Sequence, residues 1–135
     1  MALSLLRLFR NKKSQVSPFV FVAFRIKFPK ATNLVWHQVG ILKWQVGFTL
    51  KMKRCTALFN SDGQWLETVT ILPMHLLPEQ LQQSLKEKHA VKGHKEIHHV
   101  QTPDRSHYEM SFTEGSSTYK LLFDVSFNIV GKLVL

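Results

Sequence analysis

The stretch Leu42-Lys43-Trp44-Gln45-Val46-Gly47-Phe48-Thr49-Leu50 alternates apolar and polar residues without a break. A period of two is the signature of a strand with one buried and one solvated face. Leu42, Trp44, Val46, Phe48 and Leu50 form the apolar side, and Lys43, Gln45, Gly47, Thr49 and Lys51 form the polar side. A second strand-like run, Arg54 to Phe59, ends in Asn60-Ser61-Asp62-Gly63, where the glycine can supply the positive φ of a tight reversal. A third strand, Gln64 to Leu72, follows, and Leu34 to Gln38, ahead of Gly40, makes a short first one. The order is that of an antiparallel meander.

Pro73 and Pro78 break the strand pattern, and Pro78-Glu79-Gln80 opens a helix with Leu77, Leu81 and Leu85 four residues apart on one face. Gln82, Gln83, Lys86 and Glu87 are expected to face water, with the helix ending near His89, before Gly93. Strand character resumes over Lys95–Val100, His107–Thr113, Thr118–Asp124 and Asn128–Leu135, with a turn at Glu114-Gly115-Ser116-Ser117. A shift of 64 residues lays Trp44 on Tyr108, Val46 on Met110, Phe48 on Phe112, Leu58 on Leu122, Phe59 on Phe123, Asn60 on Asp124 and Trp65 on Ile129. By the same logic Ser17–Phe28, with Pro18 in its first turn, is the helix of the first half. Each half then reads as one helix followed by four strands, and neither helix is stable without a sheet to cover.

Ala23-Phe24, Lys27-Phe28-Pro29-Lys30-Ala31-Thr32-Asn33, Trp36, Trp44, Phe48, Leu58-Phe59, Asp62-Gly63 and Trp65-Leu66-Glu67-Thr68 resemble the PepSY-like family. The resemblance covers roughly Pro18 to Leu135. The second half departs from the pattern where His89-Ala90 replaces an aromatic-Pro pair and Phe127-Asn128 replaces the turn glycine. The family resemblance implies an α+β fold like that of the beta-lactamase-inhibitor protein. Two tandem units, each a helix plus a four-stranded antiparallel sheet, form one curved sheet. It also implies a non-enzymatic, usually exported bacterial protein, and no cofactor is expected. The corresponding divisions are residues 1–16, a basic and apolar segment that is weakly ordered or a short helix, residues 17–72, the first repeat, and residues 73–135, the second.

The chain has 135 residues, 44% of them hydrophobic, with ten Phe, three Trp and two Tyr, enough apolar material for a packed core. Its net charge of +9 is unevenly spread. Residues 1–60 hold eleven Lys and Arg and no acid, whereas residues 61–135 hold seven bases against nine acids. Such asymmetry draws anionic partners to one side without specifying them. The single Cys55 excludes an internal disulfide and a zinc ribbon, and its mid-strand place suits a buried apolar residue. Lys12 and Lys13 precede the apolar run from Val16 to Phe24, but Pro18 interrupts it and no small-residue cleavage site follows, so no signal peptide is expected. No apolar run reaches the roughly 18 residues a transmembrane helix needs.

The seven histidines include His89, His94, His98, His99 and His107 close in sequence. Because neighbouring strand residues point to opposite faces, His98 and His99 do not form a chelating pair, and no metal site is expected. Glu67 and Glu109 form no recognisable acid–base pair, and no nucleophile, phosphate-loop or dinucleotide motif is present, so no catalytic site is expected. Trp36, Trp44, Phe48, Tyr108 and Phe112 could stack nucleic acid beside Lys43, Lys51, Lys53 and Arg54, but alternation assigns them to the face the helices cover. The opposite face leaves Lys43, Gln45, Thr49 and Lys51, with Glu109, Ser111 and Thr113, as the candidate surface for a protein or peptide. Nucleic-acid binding by the basic first half, and an envelope-associated ligand-sensing domain, are the rival readings.

Overall fold

The computed structural model describes residues 16–88 and 96–135. Eight strands lie in one sheet in chain order, and every strand pair of described register is antiparallel. They are β1 (Thr32–Val39), β2 (Lys43–Leu50), β3 (Lys53–Asn60), β4 (Trp65–Pro73), β5 (Glu96–Gln101), β6 (Ser106–Glu114), β7 (Ser117–Phe123) and β8 (Ile129–Val134). Helix α1 (Pro18–Lys27) precedes β1, and helix α2 (Glu79–Lys88) follows β4 after a single 3-10 turn at Met74–Leu76. The chain divides into two compact units, Met1–Thr68 and Val69–Leu135. The expectations for residues 1–15, and for the helix exit at His89 and Gly93, lie outside the described residues.

In the first unit, Pro18 opens α1 where a backbone N–H has no helical partner to lose. The Ser17 hydroxyl does not cap the helix but donates to the Ser61 carbonyl (3.3 Å), tying the helix entry to the β3–β4 turn. At the other end Phe28 N–H donates to the Phe24 carbonyl (2.8 Å), and Arg25 Nη1 donates to the Ala31 carbonyl (3.0 Å), which orients the exit before β1. Val20 and Phe24 are buried against Trp44, Val46, Phe48, Ala57 and Phe59, with Trp36 packed at the margin. The Phe24 ring meets Trp36, Phe48 and Phe59 edge-on at centroid separations of 5.4, 5.1 and 6.2 Å, the geometry that aromatic quadrupoles favour. The expected apolar face of β2 is therefore buried at Trp44, Val46 and Phe48. Leu42, however, precedes the strand and is exposed.

The β2–β3 connection corrects a second expectation. β2 ends at Leu50, and Lys51 and Met52 form a two-residue turn, both with positive φ (50° and 66°). Lys51 therefore sits at a hairpin tip and not on the polar face of β2. This is the backbone of a type I′ turn, which matches strand twist but favours Asn-Gly. The β3–β4 turn is built differently: Asn60 Oδ1 accepts from the N–H groups of Asp62 and Gln64 (both 3.0 Å), and Gly63 takes φ +91°. A Cβ on Gly63 would lie 2.8 Å from the Phe19 carbonyl oxygen, so the turn seats directly on the first turn of α1.

In the second unit, Leu77, Leu81 and Leu85 are buried against Ile97, Met110, Phe112, Leu121 and Phe123, as the helical spacing predicts. Gln83, Lys86 and Glu87 are exposed, while Gln82 is half-buried and donates to the Leu77 carbonyl (2.9 Å). The register of β6 on β7 reproduces that of β2 on β3: Trp44 pairs with Phe59 and Val46 with Ala57, and Tyr108 pairs with Phe123 and Met110 with Leu121. The final turn forms although it lacks glycine. Asp124 Oδ1 accepts from Ser126 and Asn128 N–H (both 2.9 Å), as Asn60 does in the first unit, and Phe127 takes φ +65°. The Phe127 ring stacks on Tyr108 at 4.4 Å, an aromatic contact that offsets part of the left-handed strain.

Two substitutions separate turn conformation from packing. Gly115 has φ +65° and open space around it, so Gly115→Ala is expected to cost about 1 kcal/mol, the left-handed penalty alone. Gly63→Ala should cost at least about twice that, because a backbone carbonyl blocks the new methyl. Equal urea midpoints for the two variants would show that Gly63 is not pressed against α1. Replacing Lys51-Met52 by Asn-Gly should raise stability by about 0.5–1 kcal/mol in the same measurement.

Candidate functional site

Burying one face of each unit leaves the residues of opposite parity on the other. In the first unit Lys43 is exposed, and Gln45 and Thr49 are half-buried on this open face. Gln45 pairs with His37 of β1 and with Leu58 of β3, so the row His37–Gln45–Leu58 crosses three strands. His37, which is exposed, was not among the residues singled out from sequence, because Leu34-Val35-Trp36 ahead of it is a continuous apolar run with no alternation to assign its face.

In the second unit Ser111 and Thr113 are exposed and Glu109 is half-buried, all on the open face of β6. The matching row is His98–Glu109–Leu122, again across three strands. Glu109 is the centre of a polar network. His107 Nε2 donates to Glu109 Oε2 (2.6 Å), and Lys120 Nζ donates to Glu109 Oε1 (3.0 Å). His98 Nε2 lies 3.4 Å from Glu96 Oε1. Glu96, His98, Glu109, Met110, Ser111 and Lys120 line a pocket of about 280 Å³. Lys120 is a partner that period-two reasoning alone does not supply, since it reaches Glu109 diagonally while pairing in register with Ser111, whereas His107, two residues before Glu109, shares its strand face by alternation.

The charges in this network are mutually arranged. Partial burial pushes the Glu109 carboxyl upward, but hydrogen bonds from His107 and Lys120, and their charges, outweigh it and hold the group below the ordinary carboxylate value. His99 lies on the neighbouring side of β5, where its Nε2 is 2.7 Å from Ser106 Oγ and its ring stacks on Tyr108 at 4.6 Å. Burial, and then the proximity of His107, push its pKa below 6.5.

Ser111 stands in register with Lys120, but that ammonium is engaged by Glu109, and an ion-paired ammonium does not act as a base. Among the described residues, no three His, Cys, Asp or Glu side chains converge to hold a metal ion. His89 and His94 lie outside those residues. Cys55 is buried, with Sγ 3.7 Å from the Lys53 carbonyl. Of the aromatics considered for stacking, Trp44, Phe48 and Phe112 are buried, and Trp36 and Tyr108 pack against the cores. No helix among the described residues is long and apolar enough to cross a membrane.

The sequence matches no protein-family model and no curated protein. The fold, by contrast, is shared with solved structures. A BLIP-like protein from Bacteroides fragilis superposes with a TM-score of 0.74 at 17% identity, covering 89% of this chain and 86% of that one. DUF2874 family proteins from Bacteroides ovatus (0.73, 18% identity, 88% and 87% covered) and Bacteroides uniformis (0.71, 16% identity, 87% and 88% covered) agree as closely. The chain therefore has the beta-lactamase-inhibitor-like fold, and none of these neighbours is described as an enzyme.

The lowered pKa of His99 has a consequence for stability. The unfolded chain takes up a proton near pH 6.5, before the folded state does, so stability is full above that value and declines as pH falls through it. The His99 ring should titrate below 6.5 by NMR, and His99→Phe should flatten the loss of stability on acidification from pH 7 to about pH 5. A normal midpoint for His99 would show that the ring is solvated and not held in the stack.

Proposed function

We propose that this chain is a non-enzymatic binding module that recognises a protein or peptide through the open face of its sheet. The observation that carries the reading is the repeated row His37–Gln45–Leu58 and His98–Glu109–Leu122. In both units one sheet face is spent on the core, and the other sets a histidine, a polar side chain and a leucine at registered positions. A pleated face of this kind offers hydrogen-bonding groups interleaved with apolar contact area, the composition of a recognition surface. Lys43, Gln45 and Thr49 form the basic part of that surface, and Glu109, Ser111 and Thr113 the acidic and hydroxyl part. Lys51 joins it from the hairpin tip. An acidic partner segment would suit the first unit, whose sequence holds eleven bases among residues 1–60.

The shared 64-residue offset of register and turn construction supports a further reading: the helix-plus-four-strand halves, residues 17–72 and 73–135, descend from one duplicated unit of the PepSY-like type. The duplication kept the core positions and let the open faces diverge, Gln45 corresponding to Glu109 and Thr49 to Thr113.

The test is quantitative capture with the intact chain as bait, followed by identification of the retained protein and titration against it. Lys43→Glu combined with Lys51→Glu, and separately Ser111→Arg, should weaken binding at least tenfold while changing stability by less than about 1 kcal/mol, as exposed positions allow. Undiminished binding by all these variants would remove the open face as the site. Tight, steeply salt-dependent binding of unrelated single-stranded oligonucleotides, with no protein retained, would replace the reading by nucleic-acid binding.

A further inference from the structure

Helix α1 carries more apolar surface than the first unit uses. Val20 and Phe24 bury one face. Phe19, Val22 and Ile26, spaced i, i+3 and i+7, form a second apolar stripe that is 70%, 55% and 77% exposed. With Pro18, Ala23, Asp62 and Gly63 they line an open groove of about 390 Å³. A ten-residue helix that is apolar on two sides is matched to more than one apolar neighbour, and the sheet supplies only the first.

The charges beside the stripe indicate what covers it. At 3.6 residues per turn, Arg25 and Lys27 project to its two flanks, roughly 90–110° away on either side, and exposed Lys30 follows at the helix exit. Arg25 is anchored over Phe21 and Phe24 (5.9 Å to each centroid), and Lys27 lies over Trp65 (3.8 Å). Both are thus held at the waist of the helix, between its buried and exposed apolar faces. Asp62 is the one acid at the groove, and no acid precedes it in the sequence. Stripe-to-stripe packing of two copies would bring these cations together, and a polyanion without an apolar phase would leave Phe19, Val22 and Ile26 in water. A surface of anionic lipid satisfies both features, since apolar side chains enter the acyl boundary while the cations remain at the headgroups.

We propose that α1 docks in the plane of an anionic lipid surface through Phe19, Val22 and Ile26, with Arg25, Lys27 and Lys30 at headgroup level. At 1.5 Å per residue the helix is about 15 Å long, half of a hydrocarbon core of about 30 Å, so it lies on the membrane and does not span it. The contact is reversible and loses strength as salt screens the cations.

The intact chain is sedimented with vesicles of phosphatidylcholine alone or mixed with phosphatidylglycerol. Binding is expected to the mixed vesicles, to fall with added salt, and to drop at least tenfold in the Phe19→Ser/Val22→Ser/Ile26→Ser variant with an unchanged circular dichroism spectrum. Lys27→Gln and Lys30→Gln should each weaken it roughly fivefold. Should the triple variant fail to fold, Ile26→Ser alone, at the most exposed of the three positions, is expected to weaken binding measurably. No binding to the mixed vesicles, equal binding to phosphatidylcholine alone, or undiminished binding by the stripe variants would overturn the proposal. So would a dimer in sedimentation velocity that the stripe variant abolishes, which would assign the face to a second copy.

Discussion

The first unit is organised around one ring. Phe24 reaches from α1 to touch Trp36 of β1, Phe48 of β2 and Phe59 of β3, all edge-on or nearly so. Those contacts are possible only if three strands present these side chains on the same face, and a slip of one residue in any of them would turn its aromatic away. The register of β1–β3, the parity of the open face and the angle of the helix are thus bound to the seating of a single side chain. In the second unit the helix reaches the same parity with aliphatic side chains, Leu81 and Leu85 meeting Ile97, Met110, Phe112, Leu121 and Phe123. Dispersion and area burial there do the work that aromatic edges do in the first unit.

The turns complete the constraint in two chemically different ways. Asn60 and Asp124 use the same side-chain oxygen geometry to gather two backbone N–H groups. The position three residues on must be left-handed in each. Gly63 meets that need at no steric cost and lets the Phe19 carbonyl approach closely. Phe127 meets it with strain, and its ring is stacked on Tyr108, which is itself stacked on His99. The histidine that titrates low, the strained turn and the edge of the second core are therefore one stack of rings.

The cores dictate what remains available for function. Once Trp44, Val46 and Phe48 point inward, Lys43, Gln45 and Thr49 must point outward, and the same holds for Glu109, Ser111 and Thr113 opposite Met110 and Phe112. The network of His107, Glu109 and Lys120 is a by-product of that parity turned into a charged feature. The exposed stripe on α1 has a different origin: it is apolar surface beyond what the sheet can cover.

Period-two alternation in β2 and β6, the i, i+4 leucines of α2 and the Asn-Ser-Asp-Gly turn were all legible in the chain, because each is a local pattern with one physical meaning. They determined the element order, the buried face of each strand and the candidate polar face. Lys51 was misplaced because alternation does not reveal where a strand stops, and Lys51-Met52 lacks the Asn-Gly that marks a type I′ turn. Leu42 was misplaced for the same reason at the other end of β2. The pairing of Lys120 with Glu109, the row through His37 and the spare face of α1 were decided by tertiary structure alone. Cross-strand register brings together residues far apart in sequence, and which side of a helix that is apolar on two sides stays in water depends on which side the sheet reaches first.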